Sequence, residues 1–148
     1  ELNPVVLEWC RGPLAELTDG AASDPRVRVE ITDVANLVRK TARGDATNKF
    51  DAIVFDLYKG PHYHTDKLKD PLYGSRAIEN ARSALKPGGV FSIWGENFDE
   101  GFDKRLRAAG FTVSHEKPGR GGFRHVVFLA KLPLSKTKQT VAQGKRKP

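Results

Sequence analysis

The chain has 148 residues, 39% of them hydrophobic, with a formal charge of +7, one cysteine and no methionine. That length suits a single domain with a modest core. The lone Cys10 excludes an intrachain disulfide, and no apolar run reaches the roughly 20 residues of a membrane helix.

The first residues do not read as a secretory signal, and a cytoplasmic, reducing setting is expected. The absence of methionine leads us to expect that residue 1 is not the native start and that the chain is a fragment. The charge is uneven. Lys136, Lys138, Lys145, Arg146 and Lys147 fall in residues 133–148, which hold no acid, leaving +2 for residues 1–132. We therefore expect one folded domain over 1–132 and a disordered basic tail over 133–148, since Ser, Thr, Gln and Lys build no core. Few aromatics accompany these charges, so neither a nucleic-acid nor a membrane partner is expected.

Helix and strand signals alternate along the chain. Asn3-Pro4 reads as a cap followed by a first helical residue, opening a helix through Val5, Leu7, Trp9 and Cys10. Gly12-Pro13 interrupts it, and a further turn runs to about Leu17. Cys10 reads as packing, and Trp9 and Trp94 as core or interface residues. Residues 26–32 alternate as a strand, and Asp33 caps a helix over about 34–41. Phe50-Asp51-Ala52-Ile53-Val54-Phe55-Asp56 is the most strand-like stretch, apolar enough for a strand buried on both faces of a parallel sheet. The loop 57–71 is long and carries Tyr58, Lys59, His62, Tyr63, His64 and Asp66, and loops of that length are commonly functional.

A helix is expected from about Gly74 to Leu85, closed by Lys86-Pro87-Gly88-Gly89 with a left-handed glycine available. A strand over 90–94, a helix over 98–109 and two strands over 111–116 and 124–131 complete the pattern. Residues 117–122 are too few for a crossover helix, so the last two strands form an antiparallel hairpin. Gly119-Arg120-Gly121-Gly122 then reads as a hairpin turn rather than a phosphate loop. His62 and His64 lack a clear third and fourth ligand, so no metal is expected.

Acids stand at three strand–helix junctions: Glu1, Asp33 and Asp56. Carboxylates at strand ends are where open α/β sheets place ligand chemistry. The runs Glu1-Leu2-Asn3-Pro4, Thr32-Asp33-Val34, Phe50 to Asp56, and Leu85-Lys86-Pro87-Gly88-Gly89-Val90 together resemble the Rossmann-like methyltransferase fold. More narrowly, they resemble its spermidine synthase (aminopropyltransferase) branch, over about residues 1–131. The resemblance implies an α/β fold of seven strands, mostly parallel with a C-terminal antiparallel hairpin; here the first strand and the Gly-rich loop would be lacking. Without that strand, 26–32 loses its route into the sheet and the edge of 51–56 is left unpaired.

The resemblance also implies a site. Glu1 binds ribose hydroxyls, Asp33 contacts the adenine amine, Val34 and Leu57 line the cofactor, Asp56 is the catalytic base, and Tyr58 contacts the substrate. The implied cofactor is decarboxylated S-adenosylmethionine or S-adenosylmethionine, the acceptor a small-molecule amine of polyamine biosynthesis, and homodimers are frequent in the family. One departure concerns the acceptor: Lys59 stands where the family carries a second acid, so that Asp66 or Asp70 substitutes, the acceptor is not a simple diamine, or the activity is lost. An amine with a pKa of ~10.4 is protonated at neutral pH, so a carboxylate that holds it and accepts its proton fits the reaction. An S-adenosylmethionine-dependent methyltransferase and a non-catalytic binding module on the same fold are the alternatives.

Overall fold

The computed structural model describes residues 1–65, 69–118 and 125–134. Four α-helices form where the sequence supplies caps. Helix α1 (Pro4–Arg11) starts with Asn3 Oδ1 accepting from the Val5 amide at 3.0 Å and proline in its first turn. Helix α2 (Val34–Ala42) starts on Asp33, whose Oδ1 accepts from the Ala35 and Asn36 amides at 2.7 and 3.4 Å. Such a side chain satisfies amides that have no partner in the first turn. Helix α3 spans Ser75–Ala84. Helix α4 (Glu100–Ala108) begins two residues later than expected, because Asp99 caps it through the Phe102 amide at 2.6 Å.

Strands β1 (Phe50–Phe55), β2 (Leu85–Gly95), β3 (Thr112–Glu116) and β4 (Val126–Lys131) form one sheet in the order β1-β2-β4-β3. β1 runs parallel to β2, while β4 lies antiparallel to both β2 and β3. The sheet is therefore mixed, with one parallel pairing, and the expected closing pair is antiparallel.

Besides the mostly parallel pairing expected of the sheet, which proves to be one parallel and two antiparallel pairings among the described residues, two expectations need correction. Residues 26–31 form no strand; their one ladder-like contact is with residue 1. The Glu1 backbone nitrogen donates to the Glu30 carbonyl at 3.0 Å, and the Thr32 amide donates to the Glu1 carbonyl at 2.9 Å. With Val27 and Ile31 about half exposed, there is no layer for this stretch to pack into. The second concerns β1, which is not buried on both faces. It is an edge strand among the described residues; Ile53 and Phe55 point into the core, while Ala52 is exposed and Val54 is 69% exposed.

β2 also begins earlier than expected. Leu85 already pairs with Phe50, and the ladder resumes at Ala52 with Val90, so residues 86–89 bulge opposite Asp51. Gly88 sits at φ +82°, which a glycine takes without strain. Lys86 Nζ closes the bulge on Asp51 at 2.8 Å. The core lies on one face of the sheet: Phe91 and Ile93 of β2 and Phe128 of β4 pack with Ile78 of α3 and with Phe102 and Leu106 of α4, all fully buried. Full burial of each such side chain contributes about 1.5–3 kcal/mol. The buried Asp103 of α4 has partners: it accepts from Arg107 Nε and contacts His115 Nε2 of β3, both at 2.8 Å. Among the described residues, no helix is long and apolar enough to cross a membrane. The basic stretch 135–148, residues 119–122 that are expected to turn, and Asp66 lie outside the described residues.

Candidate functional site

β1 buries Phe55 and then releases the chain at Asp56, which is exposed and has no hydrogen-bond or ion-pair partner among the described residues. The next residues are held firmly. The hydroxyl of Tyr73, a residue only 2% exposed, donates to the Lys59 carbonyl at 2.7 Å. Burial, aided by the nearby Asp70 charge, pushes the Tyr73 phenol up to about 12, so it remains a donor. Gly60 lies against the end of β2: a Cβ there would fall 2.7 Å from the Trp94 carbonyl oxygen, closer than real side chains approach. Asp70, weighed above as a substitute acid, has its Oδ1 engaged by the Leu72 and Tyr73 amides at 3.0 and 2.7 Å.

The anchored loop faces the N-terminal segment across a cleft of about 620 Å³. Glu1, Leu2, Thr32, Asp33, Val34 and Ala35 form one side, and Leu57, Tyr58, Lys59, Pro71 and Leu72 the other. That size lies within the usual range for small-molecule sites, and the walls are mainly apolar. Five of the six residues expected at the site, Glu1, Asp33, Val34, Leu57 and Tyr58, meet here. Asp56 does not line the cleft; it precedes Leu57, which does.

Both carboxylates are oriented by the backbone. Glu1 Oε1 accepts from the Leu2 and Asn3 amides at 2.8 and 2.9 Å. These bonds, that from Asn3 foremost, hold its carboxyl below the usual range. Asp33 Oδ1 serves the start of α2. The second oxygen of each has no partner among the described residues and is available to a hydroxyl or amine donor. Those apolar walls with two carboxylate acceptors suit an adenosyl group, whose purine is flat and whose ribose offers two hydroxyls.

Five lining residues escaped the sequence reading, Ala35 of α2 among them. Leu2 and Thr32 flank the expected acids, but Pro71 and Leu72 arrive only because the Asp70 turn folds back beside the loop. A smaller cleft of about 310 Å³, lined by Gly60–His62 and by Glu96, Asn97, Phe98 and Asp99, adjoins the same loop. Among the described residues, no group of three or more His, Cys, Asp or Glu is placed to hold a metal.

Comparison with known proteins gives the family and the fold. The family model "Spermine/spermidine synthase domain" matches residues 1–101. A polyamine aminopropyltransferase of Yersinia pestis (strain Pestoides F) is 33% identical over 93 residues, covering 62% of this chain and 27% of the relative. The chain thus spans about a quarter of the length of the curated relatives it matches. Among solved structures, human methyltransferase-like protein 13, in complex with SAH, superposes with a TM-score of 0.65 at 22% identity, over 97% of this chain and 62% of that one. An O-methyltransferase family protein from Burkholderia thailandensis gives 0.54 at 14% identity, over 84% and 41%. These likenesses establish the methyltransferase-type fold.

Proposed function

Because the chain belongs to the spermine/spermidine synthase domain family, we propose that it serves a spermidine synthase-like transferase, moving an aminopropyl group from decarboxylated S-adenosylmethionine to an amine acceptor. The observation that supports this most is the convergence of Glu1, Asp33, Val34 and Leu57 on one apolar-walled cleft beside the end of β1. In this reading the free oxygens of Glu1 and Asp33 hold the ribose hydroxyls and the adenine amine, while Val34 and Leu57 flank the purine. When bound, the cofactor would supply a sulfonium-activated carbon to the acceptor nitrogen, the electron pair of the broken carbon–sulfur bond leaving on sulfur. Asp56 takes the proton that the acceptor ammonium must lose, and Tyr58 lies beside the acceptor.

The exposed Asp56 carries no packing, so Asp56→Asn should lower turnover by roughly 10²–10⁴-fold. Its effect on stability should stay within about 0.5 kcal/mol. Release of methylthioadenosine from decarboxylated S-adenosylmethionine, followed by mass spectrometry with an amine panel, measures this. Unchanged turnover in the variant removes Asp56 from the mechanism. Methyl transfer from S-adenosylmethionine is the second reading, favoured by the methyltransferase-type fold. Methylated product without methylthioadenosine would establish it instead.

A further inference from the structure

The cleft is bipolar. Its two carboxylates come from the N-terminal segment, and Lys59, the one cationic side chain among its described lining residues, comes from the loop after β1. Elsewhere in this fold two lysines pair with acids, Lys86 with Asp51 at 2.8 Å and Lys104 with Glu100 at 2.7 Å. The Lys59 ammonium has no ion-pair or hydrogen-bond partner among the described residues. Its backbone is nonetheless fixed, by the Tyr73 hydroxyl on its carbonyl and by the close contact of Gly60 with β2. An anchored, uncompensated cation beside apolar walls attracts an anionic group and repels an ammonium.

Resting on the aminopropyl-transfer reading of this cleft, we propose that Lys59 determines acceptor specificity by pairing with a carboxylate, so that the acceptor is an amine of the amino-acid class rather than a simple diamine. The acceptor nitrogen then reacts as described above, with its carboxylate held at Lys59. Lys59 touches the acceptor without entering bond making or breaking.

Two matched pairs test this, because ornithine is putrescine with one added carboxylate and lysine is cadaverine with one. All four amines are titrated calorimetrically into the protein saturated with decarboxylated S-adenosylmethionine, in wild type, Lys59→Ala and Lys59→Asp. The wild type should bind the amino acids roughly threefold to tenfold more tightly than the matching diamines. Lys59→Ala should remove the difference and Lys59→Asp should reverse it. The proposal is overturned if the wild type prefers the diamines, binds none of the four, or keeps its preference in Lys59→Ala.

The cofactor titrations separate the possible failures. Decarboxylated S-adenosylmethionine should bind wild type and Lys59→Ala alike. If Lys59→Ala instead selectively weakens S-adenosylmethionine, the lysine reads the cofactor and the acceptor proposal fails. A wild type that binds neither cofactor fails the underlying transferase reading.

Discussion

Residues 26–32 and residues 50–55 carry similar strand signals, yet only the second stretch enters the sheet. Val27, Val29 and Ile31 alternate with polar residues as well as any strand in the chain, but their one ladder-like neighbour is Glu1. Phe50–Phe55 has a full parallel partner in β2 and sends Ile53 and Phe55 into the core. The contrast shows that β-propensity measures fitness for a pleated, half-buried surface; a strand forms where a partner and a packing layer exist. The same division runs through the molecule: residues 1–33 contain no fully buried residue, whereas β2, β4, α3 and α4 supply most of the core.

The sharpest test of that division is a pair of truncations. Phe91→Ala should cost about 3–5 kcal/mol by denaturant unfolding, because a fully buried ring leaves a cavity. Ile31→Ala should cost no more than about 0.5 kcal/mol, since its side chain is 46% exposed. Equal effects would break the comparison.

A smaller effect is expected where α4 meets β3. Asp103→Asn should destabilise by about 1–3 kcal/mol, because it weakens charge-assisted hydrogen bonds to Arg107 and His115. Burial tends to raise the Asp103 carboxyl, but the bonds from Arg107 and His115 outweigh it and hold the group below its ordinary value. A depressed carboxylate adds stability that is present above about pH 4 and lost as pH falls through its folded value. Wild type should therefore lose this increment in acid-unfolding titrations, and Asp103→Asn should not show it. At the cleft, Asp33→Ala should cost about 0.5–2 kcal/mol through the lost cap of α2. It should also weaken nucleoside binding, which circular dichroism and calorimetry would separate.

Much of this was legible in the sequence because local signals and tertiary context agreed. Asn3-Pro4 and Asp33 mark helix starts through their own side-chain chemistry, and the short link after residue 116 dictates an antiparallel final pair. The edge position of β1 was foreseeable only from the family resemblance; its apolar run alone suggested burial on both faces. The early start of β2 was hidden because Lys86-Pro87-Gly88-Gly89 reads as a helix stop, yet forms a bulge that lets Leu85 pair across it. At the cleft, the acids and Leu57 were found by their places after strands. Pro71, Leu72 and the Tyr73 anchor depend on a loop folding back, which no spacing in the sequence encodes.

The central claim is that an adenosyl sulfonium occupies the cleft between residues 32–35 and 57–59. Amide hydrogen exchange with and without S-adenosylmethionine tests it most directly, read residue by residue. Protection concentrated at 32–35 and 57–59, with 126–131 unchanged, is the predicted result. Protection confined to other parts of the chain, or none at saturating ligand, would contradict it.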